Sequence, residues 1–272
     1  MILEIWLIIL LAIVQGLTEF LPVSSSGHLV LIESLFGMRG VEGESGILFE
    51  ISVHVGTLAA VVMVYRRRVW ELIRGAARFV ASRFGEGRTE MKYVGYMVIA
   101  SLPAALVGLF LRDSVGRLFD SPRITALMLL ATALVLTASR KGDGERGLTA
   151  SAAFLIGVAQ AIAIIPGCSR SGWTITTGML LGIGFARAAE FSFLISIPAI
   201  LGALLLEIWK HPVTSASDEL FPLLLGGFVA FIAGWLALRL LLRILRTGSM
   251  HRFSYYLALL GIAALIFFSI RG

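Results

Sequence analysis

Pro166-Gly167-Cys168-Ser169-Arg170-Ser171-Gly172 breaks an apolar run in two. Residues 149–165 before the break and 170–184 after it are each short for a bilayer crossing, which takes about 20 apolar residues. A helix interrupted at this point frees backbone polar groups, and at membrane depth these are tolerated only against protein or a water-filled cavity. The same device stands near the start of the chain, where Pro22-Val23-Ser24-Ser25-Ser26-Gly27-His28 follows an apolar run at 2–20 and leads into another at 24–36. Ser24-Ser25-Ser26-Gly27 corresponds to Ser169-Arg170-Ser171-Gly172, Gln15 to Gln160, and Glu50-Ile51-Ser52 to Glu190-Phe191-Ser192, at an offset of about 140–145 residues. A common offset of half a chain marks an internal repeat. Repeat one covers about 1–140 and repeat two about 147–272 of a single membrane domain spanning 1–272.

The rest of the chain supplies the spans. Six runs, at 48–66, 93–111, 124–139, 188–208, 221–240 and 253–270, approach the bilayer length. The composition agrees: 58% of residues are hydrophobic, 15% are charged, and the mean hydropathy is +0.92. The net charge of +6 reflects topology and not nucleic-acid binding, because Lys and Arg concentrate in cytoplasmic loops. Fifteen of the 23 basic residues fall at 66–92, 140–146 and 239–252, and six at the opposite ends of the spans. With the first set cytoplasmic, both termini lie outside, and the two broken pairs enter from opposite faces. The expected fold is therefore all-α and polytopic, an inverted-topology repeat with about six transmembrane helices and two re-entrant helix pairs. The N-terminus starts with Glu4 in place of a basic stretch and is read as retained structure.

The polar residues inside the broken pairs carry the chemistry. Gln15 and Glu19 are four apart and share a helix face. An ionisable group at membrane depth is costly, so Glu19 reads as functional. Ser24, Ser25 and Ser26 after Pro22 suit a helix N-cap, and a helix start is also an anion site. His28, just beyond, can act as general acid or base near neutral pH. Arg170 stands between apolar runs, and its planar fork suits phosphate bidentately. Ser169, Ser171 and Gly172 offer a second set of donors at a second helix start. This inventory fits phosphoryl transfer. Cys168 is the single cysteine, which excludes an internal disulfide. His54, His211 and His251 show no zinc-ligand spacing with His28.

At these residues the chain resembles the undecaprenyl-diphosphate phosphatase family, the bacitracin-resistance type. The resemblance rests on Gln15-Gly16-Leu17-Thr18-Glu19, Pro22 to His28, Pro166 to Gly172, and Glu190 to Leu194 with Ile197-Pro198-Ala199, and it runs close to full length. It implies hydrolysis of undecaprenyl diphosphate to the monophosphate at the cytoplasmic membrane, with the site opening to the outer face and the lipid carrier returned to cell-wall synthesis. It also implies a divalent cation, Mg²⁺ or Ca²⁺, for which Glu19 and Gln15 are the candidate ligands. Gln15 stands where many members carry Glu. His54 is not read as catalytic. The expected catalytic set is Ser25 as nucleophile, with Ser24 or an attacking water as the alternatives, Glu19 activating it or holding the metal, His28 and Arg170, with Ser24, Ser26, Gly27, Ser169, Ser171 and Gly172 holding phosphate. Partners are the polyprenyl diphosphate and membrane lipids, with a homodimer left open. A polyprenyl-phosphate transporter on the same fold is the alternative. A phosphatidic-acid-type phosphatase is rejected, since it needs a histidine where Thr176 stands.

Overall fold

The computed structural model describes residues 2–36, 44–139, 144–210, 220–245 and 250–270. Arg39, Arg140, Lys141, His211, Arg246 and Arg271, used in the sequence reading, lie outside them. The described residues form helices throughout, with one isolated bridge between Arg146 and Ile183. In the first half these are α1 (Ile2–Phe20), α2 (Ser25–Phe36), α3 (Glu44–Val64), α4 (Arg66–Ala81), α5 (Arg88–Phe110), α6 (Arg112–Phe119) and α7 (Pro122–Ala138). In the second they are α8 (Ala150–Ile162), α9 (Arg170–Leu180), α10 (Phe185–Lys210), α11 (Leu220–Leu245) and α12 (Phe253–Ile270).

Each half opens with a short, broken pair, α1/α2 and α8/α9, and continues with three long helices, α3, α5, α7 and α10, α11, α12. Three crossings place the second pair on the opposite face from the first, which is the inverted repeat. Among the described residues four helices are long and apolar enough to cross a membrane, and up to six if each of two bent pairs is one span. The bends fall at α3/α4 (81°) and α6/α7 (93°). The charged stretch at 66–81, read from sequence as part of a loop, is therefore a helix turned steeply away from α3.

The halves interlock. α11 packs along α1 and α3, α12 along α7, and α8 along α5, so each contact joins an element of one half to one of the other. Small residues allow the close approach: a methyl on Gly56 of α3 would run into the carbonyl oxygen of Gly227 on α11, and one on Gly157 of α8 into that of Ala100 on α5. Without a hydrophobic drive between lipid-facing helices, such contacts carry association. Beneath the breaks lies an apolar floor of fully buried Phe20, Phe193, Leu129, Leu136, Ile156 and Ile175. Phe20 and Phe193 meet edge to face with centroids 5.9 Å apart. The floor fixes Glu19, the residue before Phe20, against the second half.

Candidate active site

The two breaks are built alike. Ser169 caps α9, its Oγ accepting from the Gly172 N–H at 3.2 Å. Ser24 Oγ accepts from the Gly27 N–H, also at 3.2 Å. In each case the capping hydroxyl lies beside that of the serine two residues on, Ser26 at 3.4 Å and Ser171 at 3.3 Å. Ser24 and Ser169 are both buried. Their hydroxyls, expected on the phosphate, are thus engaged in capping. Ser24 differs in one respect: its φ of 68° is left-handed, a conformation that costs a non-glycine residue about 1–2 kcal/mol.

The sequence cannot show how the breaks meet, and the structure does. Glu19 Oε1 accepts from Arg170 Nη2 at 2.8 Å. Glu19 Oε2 accepts from Ser25 Oγ at 2.9 Å and from Gln15 Nε2 at 3.0 Å. One carboxylate thus joins the guanidinium of the second half to the hydroxyl of the first. The ion pair is largely buried, its side chains 16% and 10% exposed. Arg170 Nη1 is buried with no hydrogen-bond partner among the described residues. A buried guanidinium arm without an acceptor is costly, so this arm of Arg170 is free to meet an acceptor that Glu19 does not supply. Ser171 Oγ donates to the Leu21 carbonyl at 3.3 Å, tying the start of α9 to the end of α1.

His28 sits apart from this cluster. Its Nδ1 lies 2.7 Å from the Ser24 carbonyl and its Nε2 2.6 Å from Tyr256 Oη on α12. A carbonyl can only accept, so Nδ1 carries the hydrogen and Nε2 of the neutral ring accepts from Tyr256. His54 repeats the pattern: Nδ1 is 2.8 Å from the Glu50 carbonyl, leaving Nε2 to accept from Gln15 Nε2 at 3.4 Å. His54, set aside in the sequence reading, therefore belongs to the Glu19 network through Gln15.

Three residues outside the motifs support the site. Tyr256 holds His28. Thr132 on α7 donates to the Gly167 carbonyl at 3.0 Å and accepts from the Ser169 N–H at 3.3 Å and Trp173 Nε1 at 3.1 Å. Thr174 and Ser192 hydroxyls meet at 2.5 Å, joining α9 to α10. Glu190, a landmark of the repeat, pairs elsewhere, with Arg68 at 3.1 Å.

The family model described as bacitracin resistance protein BacA matches residues 8–263, nearly the whole chain and both breaks. This chain belongs to the BacA family. It is 42% identical to an undecaprenyl-diphosphatase of Korarchaeum cryptofilum over 96% of this chain and 98% of that one. It is 40% identical to the undecaprenyl-diphosphatase of Desulfosudis oleivorans over 93% and 94%, and 38% identical to that of Carboxydothermus hydrogenoformans over 95% of each. The match extends into α12 as far as residue 263, so Tyr256 lies within the BacA region as the motif serines do.

Among the described residues of this BacA chain no group of three or more His, Cys, Asp or Glu could hold a metal unaided. The candidate donors are the Glu19 carboxylate and the Gln15 amide, whose nitrogen faces Glu19 and His54, so its oxygen would reach a shared ion only once the amide turns over. That set suits a hard cation sharing its coordination with the substrate, since magnesium commonly takes one or two carboxylates with phosphates and water completing the shell.

Proposed function

We propose that this protein hydrolyses undecaprenyl diphosphate to undecaprenyl phosphate and inorganic phosphate. The observation that carries the reading is the partnerless Nη1 of Arg170, held beside a serine already bonded to a carboxylate. Ser25 Oγ attacks the terminal phosphorus and Glu19 accepts its proton. The bond from that phosphorus to the bridging oxygen breaks, and undecaprenyl phosphate leaves. Glu19 passes the serine proton to solvent. Water then attacks the phosphoserine with Glu19 taking its proton, and Glu19 returns this proton to Ser25 Oγ as the phosphoserine bond breaks and inorganic phosphate is released. Arg170 and the starts of α2 and α9 hold the negative charge on the transferring group. His28 holds its own hydrogen on the Ser24 carbonyl and accepts from Tyr256 at Nε2, so Nε2 is the atom at which it would take up and pass on a proton. Glu19 and Gln15 would hold a Mg²⁺ or Ca²⁺ ion, which when bound neutralises charge on the diphosphate.

The protein is a multi-pass membrane enzyme on this reading, seated in the cytoplasmic membrane with its site open to the outer face. There it returns the lipid carrier to envelope polysaccharide synthesis. A transporter would have use for Arg170 but would leave the Ser25–Glu19 bond without a task. The test is phosphate release from a long-chain prenyl diphosphate by purified protein in detergent, with and without chelator, for wild type and Arg170→Ala. Cation-dependent release that falls by about 10²–10³ in the variant supports the assignment. Well-folded wild type releasing no phosphate with either cation overturns it.

A further inference from the structure

We propose that α4 is a docking surface for the headgroups of anionic lipids in the leaflet that it borders. The helix has 16 residues and would be about 24 Å long. Its start is pinned. Arg68 Nε meets Glu190 at 3.1 Å, and the Arg68 guanidinium lies 4.8 Å from the centroid of Tyr93. With the 81° bend from α3, these contacts fix which faces of α4 look outward.

At about 100° per residue the helix divides into three strips. The first, with Leu72 and Gly75, is buried, and Gly75 lies against the Glu90 side chain of α5. The second presents Trp70, Ile73 and Val80, which are 52%, 54% and 65% exposed. The third presents Arg67, Arg74 and Arg78, all exposed. The acidic residue beside them, Glu71, is bonded to Arg68 at 3.3 Å. The Arg74 guanidinium lies 4.6 Å from the Trp70 ring centroid, at the border of the apolar and basic strips.

These strips exclude the ordinary settings of a helix. In water the second strip would leave Trp70, Ile73 and Val80 unburied in a row. Across a bilayer the third strip would put arginines in hydrocarbon. Lying in the interface, the helix sinks its apolar strip to the acyl boundary and turns its arginines to headgroup phosphates. The occupant follows from charge complementarity, because a row of arginines adjoining an apolar strip matches an anionic headgroup above its own acyl chains. Each arginine near an anionic surface is worth roughly a fivefold preference, so the three together give roughly a hundredfold.

The experiment places the full-length protein in nanodiscs of zwitterionic lipid doped with an anionic lipid. After mild detergent extraction, the lipids retained by wild type and by the triple variant Arg67→Gln/Arg74→Gln/Arg78→Gln are counted by mass spectrometry. Wild type should retain anionic lipid well above its bulk share, and the variant should retain it near the bulk share. Hydrolysis in neutral detergent should be unchanged in the variant, since α4 takes no part in the site. A second variant, Ile73→Cys carrying an environment-sensitive dye, should report an apolar setting in nanodiscs. Equal anionic enrichment in wild type and triple variant overturns the proposal. So does a water-exposed dye, or an intermolecular disulfide at Ile73→Cys that forms in excess lipid and assigns the strip to a second copy of the chain.

Discussion

Glu19→Gln replaces one oxygen by an NH₂ group and addresses the centre of the site. Glu19 receives hydrogen bonds from Arg170 at 2.8 Å, Ser25 at 2.9 Å and Gln15 at 3.0 Å. A glutamine amide that keeps its oxygen toward Arg170 turns its NH₂ toward Ser25. The serine then accepts where it had donated, and it has no base. Loss of a positioned base costs about 10²–10⁴ in rate, and among the described residues Ser25 Oγ has no other partner that could replace it. The expected fall in kcat is about 10³. KM should hold or drop, because Arg170 no longer shares its charge with a carboxylate and keeps the substrate phosphate. Ser25→Ala should fall by a similar factor. The double variant Glu19→Gln/Ser25→Ala should fall no further, since groups that act as a unit are not additive. The assay is initial phosphate release from a long-chain prenyl diphosphate over a range of substrate, with thermal melting to confirm folding. A kcat within tenfold of wild type, or losses that multiply in the double variant, would refute a serine activated by Glu19.

Tyr256→Phe keeps the ring that stacks on His28 and removes the 2.6 Å bond; turnover should fall about tenfold with KM little changed, and an unaltered kcat would show that His28 works without it. Chelation should abolish turnover and Mg²⁺ or Ca²⁺ restore it. Gln15→Glu should lower the cation concentration for half-maximal rate about tenfold, and an unmoved midpoint would remove Gln15 from the ligand set. Ser24→Gly relieves a left-handed residue at a small capping cost, whereas Ser169→Gly, at φ −80°, only loses a cap. Ser24→Gly should therefore be the more stable variant by about 1 kcal/mol, and equal unfolding midpoints would deny the strain. Gly56→Val should destabilise by about 3 kcal/mol, since the clash is with the backbone of α11 and not a side chain that can yield.

Much of this architecture is legible in the sequence because membrane helices are long, apolar and interrupted for few reasons. The break residues, Glu19, Arg170 and the serine rows stand out against apolar neighbours, although the pairing of Glu19 with Arg170 does not. Residues whose polarity blends into their surroundings do not. Thr132 is one hydroxyl in a run of alanine, leucine and threonine, and nothing in that run says its oxygen reaches Gly167. Tyr256 follows Tyr255 near a helix start, where aromatics serve as interfacial belts. His54 looks solitary because Gln15, its link to Glu19, is 39 residues away. α4 reads as a charged loop by density of arginine, although Leu72, Gly75 and Phe79 recur at helical spacing.

The interlocked halves bear on how such a chain could arise. α1 and α3 are covered by α11, α7 by α12, and α5 by α8, so a half-length ancestor would have had its apolar faces bare. It could have been stable only as a pair of copies inserted in opposite senses across the membrane, each completing the other. Its catalytic centre would have been shared between polypeptides, as Glu19 and Arg170 now come from separate repeats. Fusion of two such genes would make the partnership permanent and would also free equivalent positions to diverge. The pair Ser25 and Arg170, matched in the repeat and different in chemistry, is the outcome.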